Sequence, residues 1–264
     1  MINKIKKAND ILVIPDAHAE PDADNDRFEL AGKFALEHRP NKIVCLGDWA
    51  DMPSLSSYDK GHKSFEGRRY SKDIAAARDA LNRFEGPIEA YNKRQRKNRK
   101  PQYKPQKIML LGNHEHRINR AIELSPELDG ALAMTDLGYE EFGWEVYPFL
   151  KMIEVDGLWF NHYFISGIMG AAISGVNPAR TIIGKHMVST VSGHSHLLDY
   201  AVQANPSGKR IHGLVSGCFF EQSMGYAKST EHLWSRGLSF LHNVVDGEYD
   251  LEWFSMERLW ELYG

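Results

Sequence analysis

The stretch KIMLLGNHEHR, Lys107 to Arg117, decides how the whole chain is read. Four consecutive apolar side chains, Ile108 to Leu111, have the length and composition of a strand buried on both faces. The run then stops abruptly in Gly112, Asn113, His114, Glu115, His116 and Arg117. An apolar strand that ends in metal-capable and proton-carrying side chains is delivering a site. In open α/β sheets, ligands bind beyond the carboxyl ends of the strands.

The same pattern recurs along the chain. Asp10-ILVIP is followed by Asp16 and His18, and Lys42-IVCLG by Asp48; Gly157-LWFN is followed by His162, and Met187-VSTVSG by His194 and His196. Between the first two runs, Phe28, Ala31, Phe34 and Ala35 fall on one helical face; Asp24 or Asp26 can cap the start, and Pro40 follows the end. Between the second run and KIMLLG, Ile74, Ala77, Leu81 and Phe84 repeat at the same spacing. Gly86-Pro87 is expected to break that helix, with a second short helix running through Tyr91. Strand and helix therefore alternate, which predicts an α/β (α+β) fold whose polar clusters converge on one edge of a sheet. The segments 197–204, 211–217, 238–246 and 249–254 read as strands joined by turns such as Asn205-Pro-Ser-Gly and Asp246-Gly. They suggest a second sheet packed on the first. No segment reads as a linker, so residues 1–264 are expected to form a single domain.

Composition narrows the function classes. The 264 residues are 42% hydrophobic and 25% charged, enough for a core without disulfide staples. A formal net charge of −3 excludes a uniformly basic nucleic-acid binder, so any basic surface must be local. Cys45 and Cys218 sit in apolar, strand-like context and read as buried free thiols. The opening MINKIKKAND lacks the apolar region of a signal peptide, and ISGIMGAAISGV (165–176) is too short and too rich in Ser and Gly to span a bilayer. The expectation is a reducing, cytoplasmic location with no membrane association.

The strand-end residues form one donor set: Asp16, His18, Asp48, Asn113, His114, His162, His194 and His196. Imidazole, carboxylate and amide oxygen without thiolate suit first-row divalent ions such as Mn, Fe or Zn, not a structural Cys-type zinc site. Eight groups are too many for one ion, and a pair bridged by one carboxylate accounts for them. In an extended segment Asp16 and His18 point the same way, as do His194 and His196, so each pair can grip metal from one side. The glycines before Asp48, Asn113 and His194 are read as permitting sharp turns at the strand ends.

DAH (16–18), GDWAD (47–51), GNHE (112–115), His162 after a strand, and GHSH (193–196) stand in this order. Together they resemble the signature of calcineurin-like metallophosphoesterases over roughly residues 10–200. The resemblance implies a two-layer β-sandwich flanked by helices, with two divalent ions, Mn first, with Fe, Zn or Ni as alternatives. It assigns one ion to Asp16, His18, Asp48 and His196, and the other to Asp48, Asn113, His162 and His194. The shared Asp48 would bridge, and a water acidified between the ions would attack phosphorus in line. His114 would contact the phosphate and protonate the leaving oxygen, held by Glu115 or another nearby carboxylate. The sequence NHYF around His162 departs from the family's usual His-Gly form. Asp51 is expected to support the site rather than to ligate.

Three features bear on substrate. Protein phosphatases of this superfamily carry a phosphate-clamping Arg where this chain has Met52 in GDWADMP; Arg117 is a candidate replacement. KRQRKNRKPQYK (93–104) holds seven Lys or Arg and is either a nucleic-acid contact or a solvated helix end. The small-residue segment 167–180, with Asn177-Pro178 opening a helix, reads as a pocket wall, lid or close packing. Tyr226 to Arg236, with Trp234, reads as another loop over the site. The remaining histidines (38, 62, 116, 186, 212, 232 and 242) read as surface or structural. The reading that results is a phosphodiesterase or nuclease acting on nucleic acid or nucleotides. The alternatives are a broad phosphomonoesterase or protein phosphatase, and a non-catalytic metal-binding scaffold.

Overall fold

The structure, a computed structural model, describes residues 8–21, 23–223 and 230–264. Strand β1 (Asn9–Ile14) leads through α1 (Asp26–His38) to β2 (Lys42–Cys45), then through the long α2 (Tyr70–Lys97) to β3 (Gln106–Leu110). Next come α3 (His116–Leu124), β4 (Glu145–Tyr147), β5 (Ile153–Val155), β6 (Leu158–Phe160), and a small hairpin of β7 (Ile165–Ser166) and β8 (Ala171–Ala172). Helix α4 (Pro178–His186) precedes β9 (Thr190–Ser192), β10 (Leu198–Ala204) and β11 (Arg210–Ser216). Last are β12 (Gly237–Val245), β13 (Glu248–Ser255) and α5 (Met256–Tyr263).

One sheet has the order β13-β12-β1-β2-β3-β4, with β1 to β4 parallel; the other has the order β10-β11-β9-β6-β5, with β6, β9 and β11 parallel. The side chains of β1 explain the layering. Ile11 and Val13 face the second sheet, where they join Val44, Ile108, Leu158, Phe160, Val191 and Leu214. Leu12 and Ile14 face the other way and pack with Phe28, Phe34, Phe84 and Leu259 from the helices. Both faces of the central strands are covered, so their sequences run apolar without alternation. On the outer face of the second sheet, Ala179 and Ile182 of α4 pack with Phe164 and Val215. The fold is thus a two-layer β-sandwich flanked by helices. Each buried ring, such as Phe34 or Phe160, contributes roughly 1.5–3 kcal/mol through its burial.

Two sequence expectations are corrected and a third is refined. Helix α2 does not break at Gly86-Pro87 but continues to Lys97. Proline removes one backbone bond there. The buried stripe Phe84, Ile88, Asn92 nonetheless carries on across it, and Asn92 pins the far half by bonding both Tyr103 N (2.8 Å) and Tyr103 O (2.7 Å). The strands read over 238–246 and 249–254 join the first sheet, where β12 pairs antiparallel with β1. Residues 237–241 are buried on both faces, which requires a layer on each side, whereas β10 alternates between half-buried and exposed, as an edge strand does. Finally, Asn177 occupies the cap position of α4 with Pro178 first in the helix, but the acceptor for the helix N–H is Asp199 Oδ2, 2.8 Å from Ala179 N. Helices α3 and α5 and strands β4, β5, β7 and β8 are additions to the sequence reading. Cys45 and Cys218 are buried free thiols. No helix among the described residues is long and apolar enough to cross a membrane.

Candidate metal centre

The strand ends meet at one rim of the sandwich, but they come from both sheets. β1, β2 and β3 deliver Asp16 and His18, Asp48, and Asn113 and His114; β6 and β9 of the second sheet deliver His162, and His194 and His196. The connecting loops are not extended. His18 (φ 46°), Asp48 (φ 52°), His194 (φ 69°) and His196 (φ 60°) all lie in the left-handed region. Non-glycine residues enter that region at a cost of about 1–3 kcal/mol, and such residues cluster at functional sites. Of the two pairs expected from extended geometry, Asp16 and His18 do share one cluster, with His196, whereas His194 parts from His196 and turns to Asp48 and His162.

The glycines also differ from expectation. Only Gly47 is left-handed (φ 102°). Gly112 and Gly193 instead make room. A Cβ on Gly112 would lie 2.0 Å from Asp48 Oδ1, and one on Gly193 would lie 2.2 Å from Asp16 Oδ1.

Three groupings place their ligand atoms within 4.8 Å of one another: Asp16, His18 and His196; Asp48, His162 and His194; and His18, Asp48 and His114. Asp16 Oδ2 is 3.1 Å from His196 Nε2, and the same carboxylate accepts from His194 N at 2.9 and 3.0 Å. His162 Nε2 lies 2.9 Å from Asn113 Oδ1 and 3.4 Å from Asp48 Oδ2. Its Nδ1 donates to Leu46 O at 2.9 Å. His18 Nδ1 likewise meets Asp51 Oδ1 at 2.7 Å. Engaging Nδ1 with a carbonyl or carboxylate is how proteins fix an imidazole so that Nε2 faces a metal.

His18 Nε2 supplies the test of fit. It is wholly buried, has no hydrogen-bond partner among the described residues, and lies 4.0 Å from Asp48 Oδ2. An orphaned buried nitrogen costs on the order of 1–3 kcal/mol unless something outside the chain binds it. The surrounding donors are carboxylate, amide and imidazole, so these buried Asp and His groups could hold divalent metal.

The electrostatics agree. Burial works to raise the Asp16 carboxyl, but the His196 hydrogen bond and the imidazoles of His162 and His18 hold it well below the usual range. Burial also opposes ionisation of Asp48, and the imidazoles of His114 and His162 prevail, lowering it. His194 is depressed to about 4 by burial and by His162, so it is neutral and ligand-competent at neutral pH. Burial, then His114, lowers His18.

His114 is anchored by Asp51, whose Oδ1 is 2.8 Å from Nδ1 and whose backbone O is 2.9 Å away. Burial alone would depress His114, but the carboxylates of Asp48 and Asp51 raise it to about 9. Of the two possibilities left open by the sequence, it is therefore Asp51 that contacts His114. Glu115 serves the backbone instead, accepting from Asp48 N (3.0 Å), Gly112 N (2.9 Å), Ala50 N (2.9 Å) and the Tyr139 hydroxyl (3.0 Å). It clips the β2 loop to the β3 loop. Met52 is buried in the helix-side core, and Arg117 stands at the site, with Nη1 on Asp51 O (2.8 Å) and Nη2 3.2 Å from His114 Nε2.

A cavity of about 660 Å³ opens over these groups, with His114, Arg117, Arg68, Tyr58 and Trp234 among its lining. Arg68 and Tyr58 were missed from sequence, because they sit in the irregular stretch between β2 and α2, where no periodicity marks a residue. Trp234 packs edge-to-face on His196 at 4.6 Å, while residues 226–229 of that loop lie outside the described residues. The tip of the β7–β8 hairpin, Ile168 and Met169, is fully exposed and does not line the cavity. None of the seven other histidines lines it either.

No family model matches this chain, and no curated protein matches it. Among solved structures it is similar to a conserved uncharacterized protein, a predicted phosphoesterase, from Streptococcus pneumoniae TIGR4. That likeness has 9% identity over 93% of this chain and 98% of the other, at a TM-score of 0.34. It is also similar to Yfce, a phosphoesterase from E. coli, with 13% identity over 94% and 99% of the two chains and a TM-score of 0.38. At such scores neither likeness carries weight for this chain, whose fold and site stand on their own geometry.

Proposed function

We propose that this chain is a metal-dependent phosphoester hydrolase that holds two divalent ions, Mn first among them. The observation that carries the reading is Asp48. It shares one grouping with His18 and His114 and another with His162 and His194, and its Oδ2 faces His18 Nε2, which has no hydrogen-bond partner among the described residues. Asp16, His18 and His196 would hold one ion, Asn113, His162 and His194 the other, and Asp48 both. Such a pair supplies Lewis acidity to a phosphate and acidifies a water, and this donor set suits it.

The chain's own residues account for the rest. His114 lines the cavity with its Nδ1 on Asp51, and in the metal-free chain Asp48 and Asp51 overcome burial to favour its protonated form. As the P–O bond to the leaving group breaks and a water oxygen bonds to phosphorus, His114 Nε2, turned from Arg117, would give a proton to the departing oxygen, and the proton that the attacking water releases would restore it. Proton transfer of this kind contributes about 10²–10⁴ in rate. Asp51 fixes the ring, and Arg117 presents a permanent positive charge beside it. A scaffold protein has no physical need of this acid and its anchor, which favours the enzyme.

For substrate, the reading is a phosphodiester of the nucleotide class. The cavity has the size of sites for such ligands, Trp234 and Tyr58 offer aromatic faces at its wall, and the residue at Met52 is not a phosphatase Arg. The test is to offer the Mn²⁺-loaded protein bis-p-nitrophenyl phosphate, p-nitrophenyl phosphate, a phosphopeptide and single-stranded DNA in parallel. Faster turnover of the diester is expected. Preference for the phosphopeptide overturns the substrate class, and no turnover of any of the four by metal-loaded protein overturns the enzyme.

A further inference from the structure

At the pole of the first sheet opposite the metal centre, α2 ends and the chain turns into β3. Lys93, Arg94, Arg96 and Lys97 lie in the last turns of α2, and Arg99, Lys100 and Lys104 in the connection to Gln106. All seven are exposed. Arg39, just past the end of α1, is exposed too and lies over the Tyr91 ring at 4.7 Å. The Tyr103 hydroxyl donates to Pro40 O at 3.0 Å, which ties the two segments together.

Among the described residues, none of these eight cations is ion-paired; of the seven, Arg96 donates to Gln102 Oε1 at 3.2 Å. Elsewhere some cations find carboxylates, as half-buried Arg78 does with Glu141 and exposed Arg210 with Glu248, and exposed cations without an ion pair, such as Lys151 and Arg180, stand apart in sequence rather than seven within twelve residues. A chain of net charge −3 thus gathers unpaired positive charge at one place. Helix electrostatics explain only part of it. Cations in the last turn of a helix complement its dipole, but that benefit fades within a turn, and Arg99, Lys100 and Lys104 lie beyond the Asn98 cap.

We propose that this pole is a docking surface for the phosphate backbone of double-stranded nucleic acid. Two observations select that partner. Among the described residues, no exposed large apolar side chain lies in the segment 93–104 or beside Arg39, so a bilayer would find no apolar face there to bury. The two rings in this segment are also engaged, Tyr91 under Arg39 and Tyr103 packed against the helix-side core, so neither is free to stack an unpaired base. What remains is charge, which reads phosphate without reading sequence. The surface tethers and does not feed the metal centre: the cations precede β3, whereas Asn113 and His114 follow it. The inference therefore stands apart from the proposed hydrolase reading.

The experiment compares the full chain with the variant Arg94→Gln, Lys97→Gln, Arg99→Gln, Lys100→Gln by fluorescence anisotropy on a mixed-sequence DNA duplex of about 20 base pairs, between about 50 and 200 mM salt. Phosphatidylserine vesicles form a parallel arm. Melting temperature and metal content, which do not depend on turnover, confirm that the variant is folded. The parent is expected to bind the duplex in a salt-dependent way, and the variant at least tenfold more weakly. The log–log salt slope should fall by about 3–4, near 0.9 for each lost phosphate contact. Equal binding by the two proteins, an unchanged slope, or binding to vesicles in preference to the duplex overturns the proposal.

Discussion

Gly112 yields the space that its side chain would take to the Asp48 carboxylate: a Cβ there would lie 2.0 Å from Asp48 Oδ1 and 2.4 Å from Asp48 N. Asp48 Oδ1 is in turn held by His114 N at 2.8 Å, which leaves Oδ2 turned to His18 and His162. Gly112→Ala should therefore displace Asp48, which shares one grouping with His18 and His114 and another with His162 and His194. We expect a loss of stability near 3 kcal/mol, the upper end for overpacking, and loss of bound Mn²⁺. Denaturant unfolding and metal analysis measure the two effects, and a variant that keeps full metal content contradicts the packing.

The two groupings can be separated by substitution. His162→Ala should lose one ion of the pair and His196→Ala the other, each leaving about half of the metal content after dialysis, while Asp48→Ala should lose both. Stoichiometry unchanged in all three variants would mean that metal binds elsewhere.

His114→Ala should retain metal yet lose turnover by about 10²–10⁴. Asp51→Asn acts through two imidazoles, His18 at 2.7 Å and His114 at 2.8 Å, so it should lower both metal affinity and turnover by roughly 10–100-fold. Normal rates in His114→Ala would assign the proton to another group.

The metal-stripped protein should be most stable near about pH 6.5. The cause is two histidines displaced in opposite directions from their ordinary value of 6.5. His194 is lowered to about 4, by burial first and then by His162. Between 6.5 and 4 the unfolded chain binds a proton there that the folded chain does not, so stability falls as pH falls. His114 is raised to about 9, because Asp48 and Asp51 overcome the effect of burial. Between 6.5 and 9 the folded chain keeps a proton that the unfolded chain releases, so stability falls as pH rises. Each limb is on the order of 3 kcal/mol, less for the partly exposed His194. Melting temperature against pH should show the maximum, and His114→Ala should flatten the alkaline limb. A steady rise in melting temperature from pH 6.5 to 9 would contradict the environment described for His114.

Much of the site was legible because its donors stand directly after apolar runs, and burial leaves a local signature in sequence. Helix α1 and the central strands were legible for the same reason. Helix α2 was misread at Pro87 because the breaking tendency of proline is local, while the packing of Ile88 and the Asn92–Tyr103 clamp that outweigh it come from the tertiary fold. Asp51 and Glu115 are both carboxylates near His114 in sequence, and only the folded geometry shows that one contacts imidazoles and the other backbone N–H groups.

By itself the sequence determined the donor set, its order along the chain, and the apolar strands that carry it, because periodicity and residue chemistry are properties of short segments. Only the tertiary structure decided that these strands divide between two sheets, that β12 and β13 return to β1, and that His194 and His196 face different groupings. It also decided that Gly112 and Gly193 are glycine because carboxylates occupy their side-chain space. Those outcomes depend on atoms brought together from positions as far apart as Asp16 and His196, and a local pattern carries no record of which distant surface will cover it.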